Sequence, residues 1–106
     1  MTERPFDIVL YGASGFTGQL VAEYLASAHT ELRWAIAGRN QQKLERCRRD
    51  LGTPDLPILI ADSDDADQLK AMALQAKVII STVGPYARHG SLLLETCARE
   101  GTHYCD

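Results

Sequence analysis

The chain has 106 residues, 45% of them hydrophobic, and a formal net charge of -3. This length predicts one domain with an ordinary core, and the acidic balance excludes nucleic acid as a primary partner. No stretch approaches the roughly 20 apolar residues that span a bilayer, and the polar start does not read as a signal peptide, so we expect a cytoplasmic protein. Three cysteines without a C-x-x-C pair and three scattered histidines indicate neither a disulfide framework nor a metal site.

The N-terminal stretch predicts a buried strand, a glycine-rich turn and a helix in direct succession. The strand is the apolar run 8–10, and the helix is expected over 16–28. The turn between them has the spacing G-x-x-G-x-x-G, which lets the backbone approach a ligand and the helix pack near the strand. The first N–H groups of the helix and its dipole would bind a pyrophosphate. The candidate residues here are Gly12, Ser14, Gly15, Phe16, Thr17 and Gly18.

The remainder of the chain alternates between strand and helix patterns. Strands are predicted over 33–37, 57–61, 77–81 and 102–105, with helices ending near Leu51, following Ser63-Asp64-Asp65, and spanning 91–100. Apolar spacing places Leu20, Val21, Tyr24 and Leu25 of the first helix, and Leu92, Leu93, Cys97 and Ala98 of the last, in the core. This alternation predicts an α/β fold, a Rossmann-type three-layer αβα sandwich with a parallel five-stranded sheet in the order 3-2-1-4-5.

The end of the second strand indicates which dinucleotide binds. An NAD site usually carries an acidic residue there for the ribose hydroxyls, whereas the 2′-phosphate of NADP requires a cation. This sequence has Arg39 and Asn40 at that place and no acid. The Arg39 guanidinium can pair with a phosphate through two hydrogen bonds, and Lys43 would add a second positive charge. We therefore predict NADP rather than NAD.

Further candidates follow the third and fourth strands, whose ends meet the same edge of the sheet. Asp62 would accept a hydrogen bond from the adenine amine, with a turn or helix cap as the alternative role. The run Thr82, Val83, Gly84 and Pro85 would pass the pyrophosphate toward the nicotinamide. Tyr86 and His89 are possible acid–base groups, but nothing in the sequence places them beside a substrate. The catalytic residues therefore stay unassigned.

Four motifs together resemble those of the saccharopine dehydrogenase-like oxidoreductases, in the branch that includes trans-acting enoyl reductases. They are Gly12-Ala13-Ser14-Gly15-Phe16-Thr17-Gly18, Ala37-Gly38-Arg39-Asn40, Ser81-Thr82-Val83-Gly84-Pro85-Tyr86 and Gly101-Thr102-His103-Tyr104-Cys105-Asp106. The resemblance implies an N-terminal Rossmann domain that binds a nicotinamide dinucleotide. It also implies a larger second domain for dimerisation and for a small-molecule or acyl-type substrate.

The resemblance implies a longer parent protein, so we expect residues 1–106 to be one dinucleotide-binding domain, inactive by itself. Two other interpretations stay open. One is a dinucleotide-sensing module without catalysis. The other is a short-chain dehydrogenase-like protein, which would need a Tyr-x-x-x-Lys pair that is not present in this sequence. The leading interpretation is the NADP-binding domain of an oxidoreductase that transfers a hydride.

Overall fold

Strands and helices alternate along the whole of the computed structural model, which describes residues 4–28, 31–82 and 90–105. The elements are β1 (Phe6–Tyr11), α1 (Phe16–Ala28), β2 (Trp34–Gly38), α2 (Gln41–Leu51), β3 (Ile58–Ile60), α3 (Ala66–Ala73), β4 (Ala76–Ser81), α4 (Gly90–Glu100) and β5 (His103–Cys105). All strand pairs are parallel, and the sheet order is β3-β2-β1-β4-β5. The predicted fold is confirmed, with strand ends displaced by one or two residues.

The sheet has a separate hydrophobic core on each face. Successive strand residues point to opposite faces, so Leu10 of β1 packs under α1 and α2, while its neighbour Val9 packs under α3 and α4. The first core is completed by Leu25, Ile36 and Leu44, and the second by Leu69, Met72, Ile79 and Leu93. Near-continuous apolar strands are thus explained by burial on both faces.

The prediction of which α1 residues lie in the core was wrong in part. Leu25 is buried, but Leu20 and Tyr24 are 53% and 60% exposed. Small residues, Gly18 and Ala22, are buried on the inner side of α1, and a side chain at Gly18 would meet the backbone of Gly12 and Ala13 in the preceding turn. Similarly, Ala98 of α4 is exposed rather than in the core, and Thr96 is buried.

Local signals for the helix ends are confirmed. Asp65 caps α3 by accepting the N–H of Gln68 at 3.1 Å. Gly101, after α4, has a φ of 72°, the left-handed conformation in which helices commonly end. The predicted buried thiols, Cys47 and Cys97, are 4% and 0% exposed. Burial raises the pKa of the Cys97 thiol to about 11, so this group stays protonated and unreactive.

Asp7, at the amino end of the sheet, makes the stability of the fold depend on pH. Its carboxylate pairs with Arg33 at 3.1 Å and with Lys77 at 3.2 Å. The hydrogen bonds from Arg33, followed by that from Lys77, lower the pKa of Asp7 from 3.8 to about 2.

A carboxyl group with a lowered pKa stabilises the fold above its unfolded-state pKa and ceases to do so as the pH falls through its folded-state pKa. We therefore expect the free energy of unfolding of the unchanged chain to exceed that of Asp7→Asn by a constant amount above about pH 5. The excess should shrink toward pH 2. Urea unfolding of both proteins at several pH values measures it, and an excess that does not change with pH would contradict the assignment.

Candidate functional site

Among the described residues, two depressions lie at opposite edges of the sheet, and a third, of about 410 Å³, lies between the ends of α1 and α2. One, of about 460 Å³, lies at the amino ends of β1 to β3, between Trp34 and Pro57. The other, of about 500 Å³, lies at the carboxyl ends of the strands. Its described lining is Tyr11, Gly12, Ser14, Gly15, Phe16, Thr17, Gly18, Gly38, Arg39, Asn40, Lys43, Ser63 and Thr82. Ligands of open parallel sheets bind at the carboxyl ends, so this second depression, the cleft, is the candidate site.

The turn between β1 and α1 depends on the conformation of Gly12. Its φ is 90°, which side chains other than hydrogen rarely permit. The Gly12 N–H donates to the carbonyl of Ala37 in β2 at 2.9 Å, and its own carbonyl accepts the N–H of Gly15 at 3.1 Å. The chain therefore leaves the sheet in one tight turn, directly beside the end of β2.

The other two glycines of the motif serve different purposes. A Cβ atom on Gly18 would lie 2.8 Å from the Cα of Ala13 and 2.9 Å from the carbonyl carbon of Gly12, so this glycine allows α1 to pack closely on the turn that precedes it. A Cβ on Gly15 would meet only the Gly12 oxygen, at 3.5 Å, and would point into free space at the cleft. Gly15 does not have a positive φ, so what it provides is room for a ligand.

The amino end of α1 faces this room. The first hydrogen bond of the helix is donated by the Gln19 N–H to the Gly15 carbonyl at 2.9 Å. The N–H groups of Phe16, Thr17 and Gly18 thus precede the helical ladder, where a bound anion satisfies them best. Ser14 and Thr17 also line this end of the cleft. The open position at Gly15 and these donors fit a pyrophosphate.

Thr82 connects the end of β4 to the glycine turn. Its hydroxyl donates to the Gly12 carbonyl at 3.0 Å, and its N–H donates to the Tyr11 carbonyl at 3.1 Å. Thr82 therefore both lines the cleft and holds its turn in place. The other residues predicted after β4, Val83, Gly84 and Pro85, lie outside the described residues, as do Tyr86 and His89. Their roles stay predictions.

The end of β2 brings positive charge to the cleft. Arg39 is exposed, and among the described residues its guanidinium has no hydrogen-bonding or ion-pair partner. Asn40 lines the cleft too, but its side-chain oxygen caps α2 by accepting the Lys43 N–H at 3.0 Å. The described lining contains two cations, Arg39 and Lys43, and no carboxylate. This electrostatic environment suits a phosphate group beside β2.

Beyond β3, Ser63 rather than Asp62 lines the cleft. One carboxylate oxygen of Asp62 accepts the Asp64 N–H at 2.9 Å, which is the turn role that the sequence left open. The sequence analysis missed Ser63 and also Tyr11, whose hydroxyl donates to the Ala61 carbonyl at 2.9 Å. Their positions in the sequence could have identified them, because Tyr11 is the last residue of β1 and Ser63 closely follows β3. The adenine role of Asp62 stays a prediction.

A glycine turn at a helix start, beside cations at the end of the next strand, defines a Rossmann-type dinucleotide-binding domain. Residues 8–106 match the family described as the saccharopine dehydrogenase NADP binding domain. The chain therefore belongs to this family, as its four motifs predicted, and its cofactor is NADP.

The chain is also similar to curated proteins from mycobacteria. It is 48% identical over 106 residues to a trans-acting enoyl reductase of Mycobacterium leprae, with 98% of this chain and 25% of that protein aligned. The protein of the same name from Mycobacterium tuberculosis strain H37Rv has the same identity and coverage. The chain thus spans about a quarter of the length of the curated relatives it matches.

Solved structures share the fold at lower identity. Apo saccharopine dehydrogenase from Saccharomyces cerevisiae superposes with a TM-score of 0.78 and 21% identity, over 93% of this chain and 21% of that one. Leucoanthocyanidin reductase from Vitis vinifera, solved with NADPH, gives 0.74 and 20%, over 92% of this chain and 34% of that one. At these identities the likeness shows the fold alone. No helix within the described ranges is both long and apolar enough to cross a membrane.

Proposed function

We propose that the cleft holds NADP(H) with its pyrophosphate on the glycine turn and its 2′-phosphate on Arg39. In this arrangement the N–H groups at the start of α1 and the hydroxyls of Ser14 and Thr17 bind the pyrophosphate. Gly15 supplies the space, and Thr82 keeps the turn in position. The nicotinamide would then extend along the end of β4, toward Val83, Gly84 and Pro85.

The observation that carries this proposal is the charge of the cleft at the end of β2. Arg39 and Lys43 line it, and no acidic side chain is among the described lining residues. A carboxylate there would repel the 2′-phosphate, whereas a guanidinium can donate two parallel hydrogen bonds to it. Among the described residues, no ion pair or hydrogen bond holds the Arg39 guanidinium, so binding the phosphate would not cost Arg39 such a bond to any of them.

Replacing Arg39 by Ala should weaken NADPH binding by about 1.5–3 kcal/mol, the typical contribution of a charge-assisted hydrogen bond. The affinity for NADH, which has no 2′-phosphate, should hardly change. Calorimetric titration of both cofactors measures the effect. Arg46→Ala is the matched control. Arg46 is exposed like Arg39, but it lies within α2 and is not part of the described cleft lining. Equal losses for NADH and NADPH in Arg39→Ala would rule out the 2′-phosphate assignment.

We further propose that this domain is one part of a longer oxidoreductase. The curated relatives are about four times as long, and they are named as enoyl reductases. Bound NADPH supplies a hydride from its nicotinamide ring. The residues described here bind and orient the cofactor, while the acyl-type substrate would be held by a further domain. A homodimeric longer protein and a cytoplasmic location stay predictions.

A further inference from the structure

The end of the cleft nearest β3 is built around the hydroxyl group of Tyr11. This side chain is 4% exposed, and its hydroxyl donates to the carbonyl of Ala61, fifty residues away in sequence. Since β2 lies between β1 and β3 in the sheet, the tyrosine reaches across a whole strand. The small side chains of Ala35 and Ala37, in the same core cluster, leave room for the ring.

This connection brings one polar side chain, Ser63, to the cleft. Ser63 is 8% exposed, lines the cleft and lies two residues after Ala61, whose carbonyl accepts the Tyr11 hydroxyl. Burial raises the pKa of the Tyr11 hydroxyl, so it stays protonated and donates to Ala61. A serine hydroxyl has one donor and two acceptor lone pairs. From its place in the lining, Ser63 can therefore accept a hydrogen bond from a ligand in the cleft.

The segment that carries Ser63 is also held from the other side. The Asp62 N–H donates to the side-chain oxygen of Gln68 at 2.8 Å, and the Asp65 N–H donates to the Asp62 carbonyl at 3.0 Å. The turn is thus anchored both to α3 and, through Tyr11, to β1. Without the Tyr11 hydroxyl, the segment would keep its anchor on α3 and the bond from the Ala61 N–H to the Gly38 carbonyl at 2.9 Å, but the Ala61 carbonyl would lose its bond to β1.

We propose that Tyr11 and Ser63 select the base of the dinucleotide: the Ser63 hydroxyl accepts a hydrogen bond from the adenine amine, and Tyr11 is the positioning residue that holds Ser63. This inference rests on the proposed NADP site. There the ribose 2′-phosphate lies at the end of β2, and the glycine turn occupies the β1 side. The base attached to that ribose therefore extends to the other neighbour of β2, which is β3.

The test compares two cofactors that differ at one group of the base. In the purine analogue of NADPH a hydrogen atom replaces the adenine amine, which removes the donor and leaves the ring nitrogens unprotonated as in adenine. We expect the unchanged chain to bind NADPH about three- to tenfold more tightly than the analogue, the effect of one net hydrogen bond. Ser63→Ala should reduce this preference to less than twofold, whereas Ser63→Thr, which keeps the hydroxyl, should retain it. Calorimetry with both ligands gives these ratios.

Tyr11→Phe removes only the hydroxyl. It should at least halve the difference in binding free energy between NADPH and the analogue. Its matched control is Tyr24→Phe, which removes a hydroxyl from the exposed side of α1. A preference that survives in Ser63→Ala would overturn the proposal. In Tyr11→Phe, an equal weakening of both ligands would overturn its positioning role. If the unchanged chain bound neither ligand, the proposed NADP site itself would be wrong. That outcome is distinguishable from the two variant results, because in those the unchanged chain still binds NADPH.

Discussion

Gly15→Val is expected to lower NADPH affinity at least about 100-fold, a loss of about 2.7 kcal/mol of binding free energy. The cause is steric, because the position of the added Cβ opens into the cleft where the pyrophosphate is proposed to lie. Two further methyl groups would fill that space and keep phosphate oxygens from the N–H groups at the start of α1. Strain from a positive φ plays no part, since Gly15 does not have one. Titration with NADPH measures the loss.

The fold should tolerate this substitution, because an added Cβ at Gly15 makes only an ordinary contact of 3.5 Å with the Gly12 oxygen. We expect the circular dichroism spectrum to be unchanged and the free energy of unfolding to change by less than about 1 kcal/mol. Gly15→Ala, with a single methyl group, should lose less affinity than Gly15→Val. Full NADPH affinity in a folded Gly15→Val protein would show that the turn serves the fold and not the cofactor.

Gly18→Ala is expected to do the opposite and destabilise the fold by about 1–3 kcal/mol, the usual cost of overpacking a core. A methyl group at this position would lie 2.8 Å from the Cα of Ala13, and both neighbours are backbone atoms that cannot rotate away. In an unhindered helix the same change would stabilise by up to about 1 kcal/mol, because alanine is the better helix former. The sign of the effect therefore reports how closely α1 packs on the turn at Gly12 and Ala13.

Urea unfolding measures this change, and Gly15→Ala is the matched control, three residues earlier in the same turn. The two variants add the same methyl group, but only the one at Gly18 meets backbone atoms closer than 3 Å. We expect the control to stay within about 0.5 kcal/mol of the unchanged chain. A Gly18→Ala protein as stable as the control would mean that α1 has more space beside the backbone of Gly12 and Ala13 than the structure shows.

Local patterns in the sequence determined the order of the elements, the sheet order and the residues of the glycine turn. These features are readable because apolar runs, helix periodicity and glycine act over a few neighbouring residues. Arg39 was predictable for the same reason, since it directly follows β2 and the carboxyl end of a parallel strand faces the ligand. Family membership followed from four such short motifs, each of which is a strand end, a turn or a short final strand.

The tertiary structure alone decided which side of α1 is buried and which residue after β3 reaches the cleft. Periodicity showed that Leu20, Tyr24 and Leu25 share a broad apolar surface, but the close approach at Gly18 turns only Leu25 to the core. Likewise, the sequence predicted Asp62 beside the cofactor and did not indicate Ser63. The hydrogen bonds of Asp62 within its turn, and that of Tyr11 to Ala61, place Ser63 in the cleft. These outcomes depend on contacts between residues distant in sequence, which local patterns do not encode.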